Sequence, residues 1–467
     1  MNPTAMKVSV NVLILAAGLG TRMRSKRAKV LHRAGGLALI EHVVQAASRL
    51  TSPERITVVV GHQAEQVESL LASHGVRFAR QTEQKGTGHA VMICRDALAA
   101  QGGLLVVLYG DCPLLTSATL QALVDQQAAS SAAATLITTE LDDPTGYGRV
   151  IFGKNAAVQE IVEQKAASPE QLRVRFINSG IYCFQADLLW KHIAEVRPDN
   201  PAHEYFLTDI AAILTRAGHK VEAMNVADPQ QLLGINTRVE LAAVDKIFRG
   251  RKAQELMLAG VTIEKPETVS IDALVNIAPD TIIGPFAQIL GRTEIGEDCR
   301  IGACSIVRDS ILAEGVEIEP FTFVNSSRIE EGARIGPFAR LRFGNRVGPK
   351  AHVGNFVELK NAHLEAGAKA NHLAYLGDAE IGPHTNIGAG TITCNYDGVS
   401  KHRTRIGRDA FVGSNSTLVA PIDIGDGSYI GAGSVITDPV PPDALALGRA
   451  RQVVKEGWSA KRKKKKK

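Results

Sequence analysis

The chain has 467 residues, of which 45% are hydrophobic and 22% charged, so it can fill the cores of two or three domains and is not a disordered protein. The formal net charge of +5 is misleading, because residues 461–467 carry seven positive charges at one end. Without that segment the chain is slightly acidic, which excludes a basic nucleic-acid-binding protein.

The cysteines and the N-terminal residues indicate the cellular compartment of the protein. The six cysteines form no Cys-x-x-Cys pair and no zinc-binding spacing with histidine. Residues 1–6 lack the basic segment and apolar core of a signal peptide, and no apolar run reaches the roughly 18–20 residues of a membrane helix. We therefore expect a cytoplasmic protein with reduced thiols and no integral membrane segment.

Residues 8–23 have the pattern of a buried strand followed by a glycine-rich loop. The apolar run 8–17 lacks the helical period, which predicts a strand buried on both faces. In the loop, Gly18 and Gly20 allow the backbone to approach a phosphate, and Arg22 adds positive charge. Met23 replaces the third glycine of the dinucleotide fingerprint, and no Walker A motif occurs. Alone, the loop is as consistent with a structural turn.

Helical and strand patterns then alternate, which predicts an α/β domain with a mostly parallel sheet. Helices are predicted at 39–49, 64–73 and 88–100, and strands at 56–60, 76–80 and 104–109. Ligands bind such sheets at the carboxyl ends of the strands, where Asp111 follows the last of these strands. One carboxylate suits a Mg²⁺ ion that keeps waters and substrate phosphates, although an Asp turn before Pro113 is an alternative.

A helix is predicted to connect this domain to the rest of the chain. Thr237 and Glu240 have the spacing of a capping box, and Gly260 is a suitable stop, which together predict a helix over about 237–259. Asn236 immediately precedes it. We expect four regions, at 1–235, 236–262, 263–437 and 438–467: the nucleotide-binding domain, the linker helix, a repeat domain, and a C-terminal arm with a basic tail.

A six-residue period from Ile271 to Thr437 predicts a β-solenoid, since helices repeat at 3.6 residues and single strands at 2. One aliphatic residue in each hexad can line a continuous interior, and the glycine that often follows it lets the backbone turn. The period is marked by Ile277, Ile283, Ile289, Ile295, Ile301 and Val307, then by Ile335, Leu341, Val347, Val353 and Leu359, and finally by Ile406, Val412, Leu418, Ile424, Ile430 and Ile436.

Departures from the hexad pattern are the candidates for function. Arg342, Lys360 and His372 fall on successive coils, and because residues about eighteen apart become neighbours in a stack, they predict a cationic patch suited to a sugar phosphate. His372 could act there as a general base, although a lone histidine is more often a solvated corner. Residues 393–404 interrupt the period and predict a loop over this site.

Several motifs resemble one bacterial family. Residues 15–23 (LAAGLGTRM) with 29–32 (KVLH) are similar to the signature of sugar-nucleotide pyrophosphorylases. Residues 81–90 (QTEQKGTGHA), 109–111 (YGD) and 142–149 (DDPTGYGR) narrow the resemblance to bifunctional N-acetylglucosamine-1-phosphate uridyltransferase/glucosamine-1-phosphate acetyltransferases. The resemblance covers nearly the whole chain. It implies a Rossmann-like nucleotidyltransferase domain, a linker helix and a left-handed parallel β-helix of hexapeptide repeats.

The resemblance also implies site residues, by matching positions. Those expected to bind substrate at the uridyltransferase site are Leu15, Ala16, Ala17, Gly18, Arg22, Lys29, Gln81, Gly86, Thr87, Tyr109, Gly110, Asp111, Gly148, Glu163, Asn178 and Asn236. Asp111 and Asn236 would also bind Mg²⁺. At the acetyltransferase site, His372 would be the catalytic base, with Arg342, Lys360, Tyr375 and Asn386 binding the sugar phosphate. Acetyl-CoA would contact Ala389, Asn395, Tyr396, Ser414, Ala432 and Arg449.

By the same resemblance, the substrates are glucosamine-1-phosphate, N-acetylglucosamine-1-phosphate, UTP and acetyl-CoA. The product, UDP-N-acetylglucosamine, would feed peptidoglycan and lipopolysaccharide synthesis, and the protein would be a cytoplasmic homotrimer with sites between subunits. One departure is Phe343, which stands where a relative has proline and could shift Arg342 slightly.

Two alternatives stay open at this point. One is a monofunctional sugar-1-phosphate nucleotidylyltransferase with a structural β-helix. The other is a non-enzymatic scaffold similar to translation-factor exchange subunits. The basic segment 461–467 is expected to be a disordered, solvated end.

Overall fold

The computed structural model describes residues 8–200 and 202–464 and divides into two compact units, the first ending at Phe248 and the second beginning at Arg249. The strands of the first unit are β1 (Val10–Leu15), β2 (Arg33–Ala34), β3 (Leu37–Ala38), β4 (Ile56–Val60), β5 (Arg77–Arg80), β6 (Leu104–Tyr109), β7 (Ala134–Glu140), β8 (Arg149–Phe152), β9 (Val158–Val162), β10 (Phe176–Gln185) and β11 (Val221–Asn225). Its α-helices are α1 (Leu39–Ala47), α2 (Ala64–Leu71), α3 (Thr87–Met92), α4 (Arg95–Leu98), α5 (Ser117–Ala129), α6 (Pro169–Leu172), α7 (Ala186–His192) and α8 (Asp209–Arg216).

The first unit is built on one central sheet with the order β11-β7-β10-β6-β1-β4-β5. Strands β6, β1, β4 and β5 are parallel, as the alternating pattern predicts. The prediction missed β10, which runs antiparallel between β6 and β7, and the β8–β9 hairpin beside it. The predicted helix over 88–100 is two helices, because a tight turn, in which Cys94 N donates to Val91 O, separates α3 from α4.

Strand β1 is buried on both faces, as predicted. Val12 and Ile14 belong to the hydrophobic core on one side of the sheet, whereas Leu13 and Leu15 belong to the core on the other side. Every residue of β1 is buried. Because β1 is a central strand of a rigid sheet, the loop after it begins at the carboxyl end of that strand.

The predicted connecting helix is present as α9 (Arg238–Leu258), and its capping box forms as expected. Glu240 Oε2 accepts from Thr237 N at 2.8 Å and from Asn236 N at 2.6 Å, while Thr237 Oγ1 accepts from Glu240 N at 3.2 Å. These bonds satisfy backbone donors at the start of the helix, and they hold Asn236 just outside it. The boundary between the two units falls within α9.

The second unit contains a β-helix with three faces, and each face is a sheet of parallel strands. The first face contains Thr262–Ile263, Ile282–Ile283, Arg300–Ile301, Glu317–Ile318, Arg334–Ile335, His352–Asn355, Lys369–His372, Asn386–Ile387, Phe411–Val412, Tyr429–Ile430 and Leu445–Ala446. The second face contains Ser270–Ile271, Gln288–Leu290, Ile306–Arg308, Phe323–Asn325, Arg340–Leu341, Glu358–Lys360, Tyr375–Gly377, Ile392–Cys394, Thr417–Val419 and Val435–Ile436. The third face contains Asn276–Ile277, Glu294–Ile295, Ile311–Leu312, Ser327–Ile329, Asn345–Val347, His363–Leu364, Ala379–Ile381, Thr404–Ile406 and Ile422–Ile424.

The aliphatic residue of each hexad points inward and is buried, which confirms the reason for the period. The period is not uniformly six, however, because several corners between the second and third faces are one residue shorter. The short corners contain a residue with positive φ that tolerates the left-handed conformation; these residues are Asp309, Ser326, Asn361 and Asp378. This shortening is the physical origin of the phase slip between Val307 and Ile335.

The stack of parallel strands continues past Thr437, where the six-residue period of the sequence ends. Leu445–Ala446 pairs with Tyr429–Ile430 and adds one more strand to the first face. A helix, α10 (Trp458–Lys464), follows and is exposed. The predicted disordered end is therefore wrong for the described residues 461–464, and residues 465–467 lie outside the described part of the chain. No helix among the described residues is long and apolar enough to cross a membrane.

Two adjacent residues test whether inward packing holds the β-helix together. Leu312 is 2% exposed and Ile311, on the same strand, is 40% exposed. Leu312→Ala should lower the free energy of unfolding by about 2–5 kcal/mol, because it leaves a cavity, whereas Ile311→Ala should change it by less than about 0.5 kcal/mol. Guanidinium denaturation of the full chain, followed by circular dichroism, measures both; equal losses would contradict the assigned orientation.

Candidate active sites

A cavity of about 500 Å³ opens at the carboxyl ends of β1 and β6. The predicted residues that line it are Leu15, Ala16, Ala17, Gly18, Lys29, Gln81, Gly86, Thr87, Tyr109, Asp111 and Asn236. These residues come from distant parts of the chain and meet at one edge of the sheet. The structure therefore brings together most of the predicted uridyltransferase residues.

A cluster of cations and oxygen ligands lies at one side of this cavity. Lys29 Nζ forms an ion pair with Asp111 Oδ2 and lies 3.2 Å from Asn236 Oδ1. Arg22, which does not line the cavity, donates from Nη2 to the same Asn236 oxygen at 2.8 Å. Gly20 makes this arrangement possible: its φ is +60°, and an added Cβ would lie 2.7 Å from Lys29 Cβ. A side chain at Gly20 would therefore push Lys29 away.

Asp111 and Asn236 have the donor atoms that a divalent cation needs. Their side-chain oxygens converge on one positively charged group, the Lys29 ammonium. Among the described residues there is no group of three or more His, Cys, Asp or Glu side chains that could hold a metal. The two side-chain oxygens fit Mg²⁺, which takes one or two protein oxygens and completes its shell with water and phosphate.

The Gln81 side chain is 4% exposed and its amide has a defined orientation. Its Nε2 donates to Gly86 O at 3.2 Å and contacts His89 Nδ1 at 3.0 Å. A carbonyl oxygen can only accept, so the nitrogen of the amide faces Gly86, and Oε1 is left as an acceptor. Gly86 has φ +104°, and an added Cβ would lie 2.6 Å from Tyr205 O, so only glycine fits there.

Gly148, Glu163 and Asn178 form a second group that does not line the cavity. An added Cβ at Gly148 would lie 3.6 Å from Glu163 Oε1, and Gly148 O accepts from Asn178 N at 2.9 Å. Burial raises the pKa of Glu163, and a hydrogen bond from Thr208 partly offsets this. The charges of Asp111 and Glu163 both add to the effect of burial in raising the pKa of Tyr109, so Tyr109 lies near both groups.

Gly110 also lies outside the cavity lining, and it is closely packed. An added Cβ there would lie 2.8 Å from Ile40 Cδ1 and 3.2 Å from Ala16 Cβ. By contrast, Glu204 lines the cavity although the sequence analysis missed it. Tyr205 O accepts from Gly88 N at 2.7 Å, which brings this segment to the start of α3. Glu204 carries no motif of its own, so only the long-range pairing of these loops identifies it.

In the β-helix, the predicted base His372 and the predicted acetyl-CoA residues Ala389, Ser414 and Ala432 fall in one column, at the corner after the first face. Asn395 and Tyr396 do not belong to this column, because they follow a strand of the second face. Asn355 and His372 are strand partners, and Asn415 N donates to Ala389 O at 2.7 Å one coil later. Further along, Gly433 N donates to Ser414 O at 2.8 Å. The column ends at Ala432, whose carbonyl accepts from Arg449 Nη1 at 2.9 Å.

His372 has a partner that the sequence analysis did not identify. Its Nδ1 lies 2.6 Å from Asn355 Oδ1. An amide oxygen can only accept, so Nδ1 carries the proton and Nε2 holds a lone pair. His372 is exposed, with a small cavity of about 260 Å³ beside it that both residues line. The exposed imidazole therefore presents a basic nitrogen to solvent.

Arg342 and Lys360 meet at the corner between the second and third faces, as predicted. Arg342 Nη1 lies 3.3 Å from Glu358 Oε1, and Lys360 Nζ lies 3.6 Å from Asp378 Oδ2. The Lys360 side chain is 8% exposed. Burial alone would raise the pKa of Asp378, but hydrogen bonds from Asn361 and Asn395 and the charge of Lys360 outweigh it and lower that pKa.

The predicted loop over 393–404 reaches this cationic corner. Tyr396 and Lys401 form an antiparallel bridge, and Asp397 accepts from the backbone of Ser400 at 2.7 Å and from His402 Nε2. The nearby ammonium of Lys360 lowers the pKa of Lys401. Lys401 is thus a third cation at the site, and the sequence analysis did not single it out because it lies within the irregular loop.

The structure does not form the single patch of Arg342, Lys360 and His372 that the sequence predicts. His372 ends a strand of the first face, whereas Lys360 pairs with Gly377 at the far end of the second face. Tyr375 starts the second-face strand between them. The cations and the imidazole therefore lie at opposite ends of one face. Asn386 lies on the first face, one coil beyond Lys369.

The raised pKa of Glu163 makes a pH-dependent prediction. The folded state holds the Glu163 proton more tightly than the unfolded chain does, so wild-type stability falls as pH rises from the ordinary glutamate pKa through the raised one. Glu163→Gln removes this fall. The free energy of unfolding of the variant, relative to wild type, should therefore increase between pH 5 and pH 7.5. Urea denaturation at the two pH values measures the free energy of unfolding of both proteins. If the difference between variant and wild type does not change with pH, Glu163 is not a buried ionising group.

Three family models match the chain. They are "Nucleotidyl transferase" over residues 11–229, "Bacterial transferase hexapeptide (six repeats)" over residues 274–309, and "Hexapeptide repeat of succinyl-transferase" over residues 403–438. The first model spans nearly all of the central sheet and most of the residues that line its cavity, and the other two fall within the β-helix. These matches confirm the predicted fold class, a nucleotidyltransferase domain followed by a left-handed β-helix of hexapeptide repeats.

Curated relatives match over nearly the full length. The chain is 60% identical to the "Bifunctional protein GlmU" of Solibacter usitatus over 98% of both chains. It is 50% identical to the protein of that name in Koribacter versatilis over 97% of both, and 49% identical to that in Anaeromyxobacter dehalogenans over 96% of this chain and 92% of the relative. The prediction of a bifunctional transferase is confirmed, and the chain belongs to the GlmU family.

Proposed function

We propose that the two units catalyse successive steps of UDP-N-acetylglucosamine synthesis. The β-helix transfers the acetyl group of acetyl-CoA to glucosamine-1-phosphate, and the N-terminal unit joins the product to UTP with release of pyrophosphate. The observation that carries this proposal is that each unit has its own built site. One unit has a cavity with Lys29, Asp111 and Asn236 clustered at one side, and the other has a basic imidazole below a continuous column of small residues.

In the N-terminal unit, catalysis is positioning and charge neutralisation. The phosphate oxygen of the sugar-1-phosphate attacks the α-phosphorus of UTP, and pyrophosphate leaves from the opposite side. Lys29 and Arg22 stand next to Asp111 and Asn236, where the negative charge of the triphosphate would lie. The side chains of Asp111 and Asn236 would hold Mg²⁺, which supplies charge neutralisation to the phosphates when bound. Gly148, Glu163 and Asn178 would bind the acetylated sugar.

Gln81 supports the choice of uracil. With Nε2 bonded to Gly86 O and facing His89, its Oε1 is the acceptor that the site offers to a base. The N3 atom of uracil carries a hydrogen and can donate to this oxygen, whereas N3 of cytosine is an acceptor and would be repelled. His89, which the sequence analysis did not single out, therefore has a role in orienting Gln81.

In the β-helix, His372 acts as the general base. Because Asn355 accepts from Nδ1, the lone pair of Nε2 is available to take a proton from the amine of glucosamine-1-phosphate. The amine nitrogen attacks the thioester carbonyl, the carbon–sulfur bond breaks, and coenzyme A leaves as its thiolate. Tyr375, between the base and the cations, and Asn386 would contact the sugar.

The cationic corner binds the phosphate of the sugar. Arg342, Lys360 and Lys401 supply positive charge, so the sugar phosphate would lie along the second face with its amine toward His372. Acetyl-CoA would follow the column above His372. Ala389, Ser414 and Ala432 leave space there, and Arg449 stands at its far end. Asn395 and Tyr396 belong instead to the loop at the cationic corner.

We place the enzyme in the cytoplasm as a homotrimer. All six cysteines are free, as in reducing compartments. A neighbouring copy is supported by the openness of the acetyltransferase site on one chain, where His372 is exposed and the Arg342 side chain is 37% exposed. The trimer also follows from the resemblance to the family. Light scattering of the purified protein measures the mass; a monomer at micromolar concentration would contradict the assembly.

Two variants separate the two reactions. In a mixture of acetyl-CoA, glucosamine-1-phosphate, UTP and Mg²⁺, released coenzyme A and pyrophosphate report the two steps. His372→Ala should lower acetyl transfer by about 10²–10⁴-fold and leave uridylyl transfer from supplied N-acetylglucosamine-1-phosphate unchanged. Asp111→Ala should lower uridylyl transfer by about 10²–10³-fold and leave acetyl transfer unchanged. Acetyl transfer that survives His372→Ala would show that another group is the base.

The Asn355 partner predicts a change in pH dependence. Asn355→Asp puts a carboxylate beside His372 Nδ1 and stabilises the protonated imidazole, so the acid limb of the kcat/KM profile for acetyl transfer should move up by about one pH unit. The uridylyl transfer profile of the same variant is the control and should not move. An unshifted acid limb would mean that Asn355 does not influence the protonation of the His372 imidazole.

A further inference from the structure

We propose that Phe343 is a positioning residue for the cation pair Arg342 and Lys360, holding both for the phosphate of the acetyl acceptor. The inference rests on the proposed acetyl transfer and identifies a residue that determines affinity for the sugar phosphate. In the sequence, Phe343 is only a departure from a relative that has proline there, and it could shift Arg342 slightly.

The corner that contains Phe343 differs from those of the two following coils. From Leu341 to Val347 the chain takes six residues, whereas from Leu359 to Leu364 it takes five. The next coil also takes five. The longer corner turns at Gly344, with φ +67°, and Phe343 stands there as an exposed residue. The additional residue thus places an aromatic ring where the neighbouring coils have a tight polar turn.

The ring lies next to both cations. Arg342 Cζ is 5.8 Å and Lys360 Nζ is 5.9 Å from the centre of the Phe343 ring. Each cation also has one carboxylate neighbour, Glu358 for Arg342 and Asp378 for Lys360. An aromatic face attracts cations through its quadrupole, so one ring shared by two like charges reduces their mutual repulsion. Phe343 therefore stabilises a spacing that the two charges alone would widen.

The ring suits an anion-binding site better than another carboxylate would. A carboxylate between the cations would neutralise them and compete with a phosphate for their N–H groups. The ring has no acceptor oxygen, so it holds the cations in place while their donors stay available. A ligand with two or more anionic oxygens on one phosphorus, such as the acceptor phosphate, can then bridge Arg342 and Lys360. The chemistry at His372, at the other end of the face, does not involve the ring.

The experiment compares Phe343→Leu, which keeps apolar volume and removes the ring, with Phe343→Tyr, which keeps the ring. For the full-length enzyme, Phe343→Leu should raise KM for glucosamine-1-phosphate roughly 5- to 30-fold, as expected for the loss of two exposed cation–π contacts. Its kcat should stay within about twofold, because the ring does not touch the reacting atoms. KM for acetyl-CoA should not change. Phe343→Tyr should keep a KM close to that of wild type.

Two controls separate positioning from a general structural effect. Phe286→Leu changes another exposed phenylalanine of the β-helix, near its start, and should leave the kinetics unchanged. An unchanged KM for acetyl-CoA reports that the β-helix of each variant is folded, and uridylyl transfer reports the same for the N-terminal unit. An unchanged KM for glucosamine-1-phosphate in Phe343→Leu, or an equal rise in Phe343→Tyr, would overturn the inference. If wild type itself fails to acetylate glucosamine-1-phosphate, the proposed function fails instead.

Discussion

The stacking of backbone coils in the β-helix is the constraint on which the acetyltransferase site depends. Each coil donates hydrogen bonds to the next, as Arg342 N does to Leu359 O at 3.0 Å, and the buried aliphatic residues keep the coils in register. Strands so paired lie about 4.8 Å apart, so side chains one coil apart become neighbours without further packing. The pair Asn355–His372 and the pair Arg342–Lys360 both arise in this way.

The N-terminal site is organised differently, by loops that leave the edge of a rigid sheet. Lys29, Asp111 and Asn236 come from three separate segments and meet because β1 and β6 end side by side and α9 begins nearby. The capping box at the start of α9 fixes Asn236, and Gly20 lets Lys29 approach. Here the electrostatic attraction between one cation and two oxygens, rather than a backbone repeat, keeps the site together.

Much of the fold could be predicted because local patterns and tertiary packing agree. The buried strand β1, the parallel strands beside it and the capping box of α9 all follow from periodicity and capping chemistry. The antiparallel strand β10 and the two-helix break at Cys94 were missed, because strand direction and small turns depend on distant partners. The short corners carry only a weak signal, an Asp, Asn or Ser in the left-handed conformation.

Motifs and the six-residue period are sufficient to predict the two-domain organisation, the family and most candidate residues of both sites, since local chemistry imposes these patterns. How those residues are grouped depends on the tertiary structure. It separates His372 from Lys360 along one face, adds Asn355, Lys401 and Glu204, and puts the Phe343 ring beside two cations. The physical reason is that corner length and side-chain direction depend on contacts between coils, which spacing along the chain does not specify.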